Sequence, residues 1–394
     1  MKARKSLATI VTAASALILS ALPAYAENLN GSGATFAQPL IDACKGDFTK
    51  ETGHTLNYPG GGSGKGRTDF AARLVDFAGS DAPYTSGAPT ASEFVYAPIY
   101  AAPIAVMYNL PTVKDSIYLS PSTIAQIFSG SIKDWDDKLI AADNERKVKT
   151  PVYKTKKVTT TVKGKKVSRS VPALDKNGQA IVSSYIEKTV NIDLPKQPIT
   201  VWYRTDGSGT SENFTLFLRD ANAGANPGLW PKAPSQTFSS STPTSISGFF
   251  NFQGASGSAA VAAGVASKVG SISYSELSFA TDNKLGVANV KNAAGEFVAP
   301  SASGTSIFLG GGTINDDGSV TVDFKKSIPG AYSLGTASYG LAYTGGRPTA
   351  KQAAVSAWFT YVLEKCPTKY PDKGFALITG PIAEKAKLQI AKIK

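Results

Sequence analysis

The sequence predicts an α/β protein layered around a mainly parallel sheet, and three observations carry that prediction. Short apolar or β-branched runs alternate with segments of helical period. Glycine- and serine-rich turns stand at 31–36, 60–66 and 206–211, where strands give way to helices. The chain has 394 residues, 42% hydrophobic and 18% charged, enough for two ordinary domains with real cores.

The first 26 residues read as a secretory signal peptide. Lys2, Arg4 and Lys5 form a positive start, an apolar run follows over 7–22, and Ala24-Tyr25-Ala26 is a small-x-small cleavage site. No other stretch reaches the roughly 18 apolar residues a membrane span needs. The mature chain is expected to begin at Glu27, exported to the periplasm or beyond, with no Cys at the cleavage point to carry a lipid.

Phe36, Leu40, Ile41, Cys44 and Phe48 recur at helical spacing and predict a helix over 36–50. A short strand is expected at 56–58, a helix over 69–74 and a strand at 75–78. The apolar run 96–108 reads as a buried strand pair broken by Pro98 and Pro103. Further on come a helix at 122–128, a strand at 200–203 and a helix over 211–220 that buries Phe214, Phe217 and Leu218. An Ala-rich helix over 258–268 leads into a strand at 271–274. The helix expected over 351–365 has Ala354, Trp358, Tyr361 and Val362 on one side. No internal repeat appears.

The formal charge of +12 is local. Without the leader, 38 basic residues face 29 acidic ones, and ten of the basic residues lie in 146–169, which holds no acid. The body is near neutral, so the charge is no nucleic-acid signature. The segment mixes Val, Thr and Lys around Gly164, with a second turn at Asp175-Lys176-Asn177-Gly178, and reads as an exposed β-hairpin with solvated lysines. The other reading is a patch for an anionic envelope polymer or lipid headgroup.

A single His and two Cys exclude zinc fingers, haem attachment and iron–sulfur clusters. A Ser–His–Asp hydrolase would rest on His54, which reads as a surface turn residue. Cys44 and Cys366 either form one long-range bridge, which export would permit, or remain two buried thiols.

The three turns share one design. Glycine lets backbone approach a ligand closely, Ser and Thr cap a helix start, and a helix start carries about half a positive charge. Three such starts meeting at one point would form an anion site without a metal. Neither a P-loop nor a Rossmann fingerprint is present, so the anion is expected to be small and free. Arg204 is suited to bidentate contact with a tetrahedral oxyanion, and Asp206 is placed to hold it. Asp81, after a strand, would repel any anion lacking a proton to donate. Hydrogen phosphate has one and sulfate at neutral pH does not, so the carboxylate reads as a selectivity device; the other readings are a helix-cap or turn aspartate for Asp81 and a surface ion pair for Arg204 and Asp206.

These residues carry a resemblance. GSGATF (31–36), YPGGGSGKG (58–66), VDFAGSDAP (75–83), SIKDWDD (131–137), YRTDGSGTSENF (203–214) and the order of 258–274 resemble the periplasmic phosphate-binding protein of the phosphate ABC transporter, the PstS family. The resemblance implies the two-lobed type II periplasmic-binding-protein fold, with the ligand between the lobes. Lobe 1 would comprise 27–108 and 332–394, and lobe 2 109–331, with the basic hairpin inserted within about 140–197. It implies a phosphate site of Ala34, Thr35, Phe36, Ser63, Asp81, Arg204, Asp206, Ser208, Gly209 and Thr210, with no cofactor and no metal. It also places the C-terminal helix in the lobe of Cys44, which favours a Cys44–Cys366 bridge. The implied function is capture of inorganic phosphate by a non-enzymatic monomer and delivery to permease subunits. The alternatives are a secreted phosphate-ester hydrolase or a surface adhesin on the same fold. The basic insert, Lys65 and the two cysteines depart from the family pattern.

Overall fold

The structure, a computed structural model, describes residues 26–162, 165–176, 179–370 and 373–394. The expected leader, all but its last residue, and the turn residues Gly164, Asn177 and Gly178 lie outside the described residues. No helix among the described residues is long and apolar enough to cross a membrane.

The chain opens with β1 (Asn28–Gly33), α1 (Gln38–Thr52), β2 (Thr55–Asn57), α2 (Ser63–Ala71), β3 (Phe77–Ser80) and β4 (Phe94–Tyr108). The helix expected over 69–74 is thus the end of one that starts at Ser63. Residues 96–108 form not a strand pair but part of one 15-residue strand. The two prolines are tolerated because neither interrupts a regular ladder. Pro98 faces Tyr339 at a register shift, and Pro103 lies where β4 changes partner.

An excursion follows in β5 (Arg146–Tyr153), β6 (Thr155–Val162), β7 (Lys165–Pro172) and β8 (Val182–Val190). The chain then resumes with β9 (Thr200–Arg204), α3 (Gly209–Asp220), β10 (Phe252–Ala255), α4 (Ser258–Ser267), β11 (Ser271–Glu276) and β12 (Gly286–Val287). It closes with β13 (Gly335–Tyr343), α5 (Thr349–Glu364) and α6 (Gly380–Ile390).

Eight strands run in the order β10-β9-β11-β4-β13-β3-β1-β2, with β12 paired to β4 off this path. The flanks are parallel: β1 with β2 and β3, and β9 with β10 and β11. The centre is antiparallel, because β4 and β13 run against each other and against β11 and β3. The expectation of a mainly parallel sheet is corrected to a mixed one. β4 belongs to both flanks: Phe94 to Pro103 pair with β13, and Ile104 to Tyr108 with β11.

The inward face of α1 buries Leu40, Ile41, Cys44 and Phe48 against the C-terminal helices, where Phe48 meets Trp358 edge-on at 5.1 Å. Cys44 and Cys366 form a disulfide there, Cα–Cα 5.8 Å, across 322 residues of sequence. Where β4 changes partner, Glu276 at the end of β11 is fully buried opposite Ile104. Burial pushes its carboxyl up to about 8, against the pull of the Ser278 hydroxyl and N–H donors.

Two outcomes follow. Cys44→Ala/Cys366→Ala should lower unfolding stability by about 2–4 kcal/mol, read from denaturant melts, without changing ligand affinity. A carboxyl raised on folding contributes stability that is whole below its unfolded value of 4.5 and is lost as pH rises through about 8. Stability should therefore decline with pH across that window, and Glu276→Gln should flatten the decline. An equal slope in the variant would assign it to another group.

Candidate functional site

Three helix starts and one turn meet between the two flanks of the sheet. The helix starts are those of α2, α3 and α4, at Ser63, Gly209 and Ser258. The turn is that of Thr35, which precedes α1 but does not begin it, since the helix starts only at Gln38. The first glycine-rich turn therefore delivers a side chain and not a helix end. In its place stands α4, whose start was not among the expected site elements.

Asp81, one residue past β3, is 2% exposed. Ser338 Oγ donates to its Oδ1 at 2.8 Å, and Thr210 Oγ1 and Ser63 Oγ donate to Oδ2 at 3.1 and 3.4 Å. Its own N–H donates to Ser63 Oγ at 3.1 Å. Burial raises the Asp81 carboxyl above its ordinary value, outweighing the Ser338 hydrogen bond, the Arg204 charge and the Thr210 and Ser63 donors.

Arg204, at the end of β9, is equally buried. Its Nε donates to Asp206 Oδ1 at 2.7 Å, its Nη2 to Asp206 Oδ2, and its Nη1 to Ser258 Oγ at 3.0 Å. Gly257 N–H adds a bond to Asp206 Oδ1 at 2.9 Å. Burial alone would raise the Asp206 carboxyl, but the Arg204 contacts and the Gly257 N–H hold it below the usual range. Ser258 closes the ring, its N–H donating to Thr35 Oγ1 at 3.1 Å and its hydroxyl hydrogen-bonded to the Thr35 hydroxyl at 3.0 Å.

The site is tightly built. Gly64 N–H donates to Gly207 O at 2.7 Å across the two flanks. A Cβ on Gly209 would lie 2.6 Å from Ser63 Oγ and 2.9 Å from the Asp81 Cβ. Arg67, also buried, bonds Gln236 Oε1 at 2.7 Å and the carbonyls of Ala82 and Pro83.

Other expected site residues take supporting places. Ala34 spends its N–H on Gly79 O at 2.9 Å, and its carbonyl accepts from Tyr58. Phe36 is buried with its ring 6.0 Å from that of Tyr100. Ser208 caps α3, its hydroxyl accepting from Ser211 N–H at 3.1 Å. Lys65 pairs with Asp69 at 2.6 Å. His54 lies at the β2 edge, where its Nδ1 accepts from Glu27 N–H. No cluster of metal-ligating side chains occurs among the described residues.

Residues 20–365 match the PBP superfamily domain. The phosphate-binding protein PstS 3 of Mycobacterium leprae is 30% identical over 324 residues, covering 79% of this chain and 72% of that protein. This chain belongs to the PstS family. The PstS 3 protein of Mycobacterium tuberculosis is 29% identical over 364 residues, covering 84% of this chain and 82% of its own. Among solved structures, a high-affinity periplasmic phosphate-binding protein (PfluDING) has the same fold, with TM-score 0.63, 20% identity and 92% and 93% of the two chains covered. The phosphate-binding protein of Stenotrophomonas maltophilia matches at TM-score 0.62 and 18% identity, with the same coverage. The chain thus has the mixed α/β periplasmic-binding-protein fold of these PstS-like proteins.

Sequence reasoning missed Ser258 and Ser338. Ser258 carries the signal of the other turns, for Gly254-Ala255-Ser256-Gly257 precede it and a helix follows. Ser338 lies inside a fully buried strand and has no local signature.

In this PstS-family chain Gly209→Ala should keep the two flanks from seating. In saturating phosphate, small-angle scattering should give a larger radius of gyration for the variant than for the parent. Equal radii would show that the contact yields.

Proposed function

We propose that this site captures inorganic phosphate outside the cytoplasmic membrane and that the protein delivers it to an ABC-type permease. The observation that carries this reading is the buried Asp81 carboxylate set beside Arg204. Arg204, Asp206 and Asp81 sum to a formal charge of −1, so net charge cannot be what holds an anion. Hydroxyls, N–H groups and helix starts supply the attraction, as in anion sites at helix N-termini. The negative acceptor then admits only an anion that brings a proton to it. An oxyanion without one would set two acceptors together in a site shut off from water, which costs several kcal/mol.

Thr35, Ser63, Thr210 and Ser258 supply hydroxyls, and Arg204, held flat by Asp206, supplies the guanidinium. Gly209 allows the backbone of α3 to approach. Binding would draw the two flanks together around the anion, a closure of the hinge kind. Nothing in this scheme makes or breaks a covalent bond, and PstS proteins are binders, not enzymes. The periplasmic solved relative and the leader-like start support export with cleavage before Glu27. The chain is read as a monomeric receptor, with permease subunits as its partners.

Calorimetry should give tight phosphate binding, micromolar or better, and no heat with sulfate. Equal heats for the two anions would reject the reading. Asp81→Asn should shrink the discrimination. Arg204→Lys should weaken phosphate by tenfold or more, equivalent to ~1.4 kcal/mol.

A further inference from the structure

The excursion between β4 and β9 is unused by the site. It is a branched ribbon. β5 and β8 form a two-stranded stem, and β6 and β7 form an arm in antiparallel register from Thr155↔Pro172 onward. The stem, the arm and a short loop closed at Leu174↔Ala180 join through three backbone bonds. These are Lys154 N to Ile181 O at 2.8 Å, Ala173 N to Lys154 O at 2.7 Å and Ile181 N to Ala173 O at 2.8 Å. At about 3.3 Å per residue, stem and arm in line would reach roughly 50 Å. The chain returning from the ribbon is fixed where Ile199 N–H bonds Lys133 O, at the start of β9. Arg204 lies at the other end of that strand, so this return enters the sheet at the end away from the phosphate site.

Two properties coincide on it. Lys147, Lys156, Lys157, Lys165, Lys166 and Arg169 are exposed, and none forms an ion pair with a described residue. The ribbon also displays apolar side chains: Tyr153, Val167, Leu174, Val182, Tyr185 and Ile186 are six of the 13 exposed large hydrophobics among the described residues. Tyr185 and Ile186 are 61% and 60% exposed. By register, Tyr153, Val182 and Tyr185 share one face of the stem with Lys147 and Glu187, Ile186 stands on the other face, and Val158, Val167 and Val171 share one face of the arm with Lys156 and Arg169.

We propose that this ribbon docks the protein on an anionic bilayer surface. Charge alone would suit any soluble polyanion. Tyrosines and aliphatic side chains standing among unpaired lysines suit an interface, where apolar groups enter the acyl boundary and the amines meet acidic headgroups. Returning to the sheet away from the cleft, the ribbon can rest on the membrane while the phosphate site faces solvent.

The test is co-sedimentation of the chain from Glu27 with vesicles of equal parts phosphatidylglycerol and phosphatidylcholine, against pure phosphatidylcholine. Binding is expected to the mixed vesicles only and should fall at least tenfold at high salt. Lys156→Gln/Lys157→Gln/Lys165→Gln/Lys166→Gln should weaken it about tenfold or more. Tyr185→Ser/Ile186→Ser should weaken it at unchanged charge. Phosphate titration should be the same for all variants, which also certifies their fold. The proposal is overturned by failure of the parent to bind mixed vesicles. It is equally overturned if Tyr185→Ser/Ile186→Ser binds like the parent, or if soluble polyphosphate binds the ribbon as tightly as the vesicles do, which would make it a polyanion site.

Discussion

A carboxylate shut away from water must have its oxygens answered by donors, and Asp81 imposes that condition on the whole molecule. Its three hydroxyl partners come from α2, α3 and β13, elements far apart in the chain. Thr210 reaches it from the opposite flank, so one of its three donors is supplied only where the flanks meet. This explains why so many residues here are small. Any side chain on Gly209 would stand between Ser63 and the acid it serves. The same economy governs Arg204, whose Nε and Nη2 are both bonded to Asp206.

The two flanks are held in register by strands rather than by linkers alone. β4 contributes its first part to one flank and its last to the other, so a change of angle between them must pass through the twist of a continuous strand. Glu276 lies at that crossing, buried and opposite Ile104. Two glycines on β13 let neighbouring layers pack close, Gly335 against Thr305 and Gly340 against an aromatic ring. Gly340 meets Phe359 at a distance no Cβ would permit.

Much of this was legible in the sequence, for reasons that differ by residue. The α1 face was plain because Leu40, Ile41, Cys44 and Phe48 obey a single period. Thr35, Ser63 and Thr210 stood out because turns with glycine and serine advertise close backbone approach, Asp81 and Arg204 by their charge beside such turns, and the structure brings the five together. The start of α1 was placed too early because its turn resembles a helix start in composition, and only the geometry shows that Thr35 stands before it. Proline misled in β4: the rule that it breaks strands holds for regular ladders, and Pro98 and Pro103 occupy the irregular places. Ser338 was out of reach, since its role arises from strand pairing across most of the chain. The sheet's antiparallel centre was hidden likewise, for direction is set by which strands meet and not by what each contains.

The bridge between Cys44 and Cys366 has a bearing on biogenesis. Its two ends are separated by 322 residues, and everything that builds the other flank is synthesised between them. As the chain emerges from amino to carboxyl end, the first thiol waits without its proper mate until nearly the last segment arrives. With only one pair of thiols in the sequence, no scrambled intramolecular pairing exists. During that wait the one wrong partner open to it is the thiol of another copy of the chain.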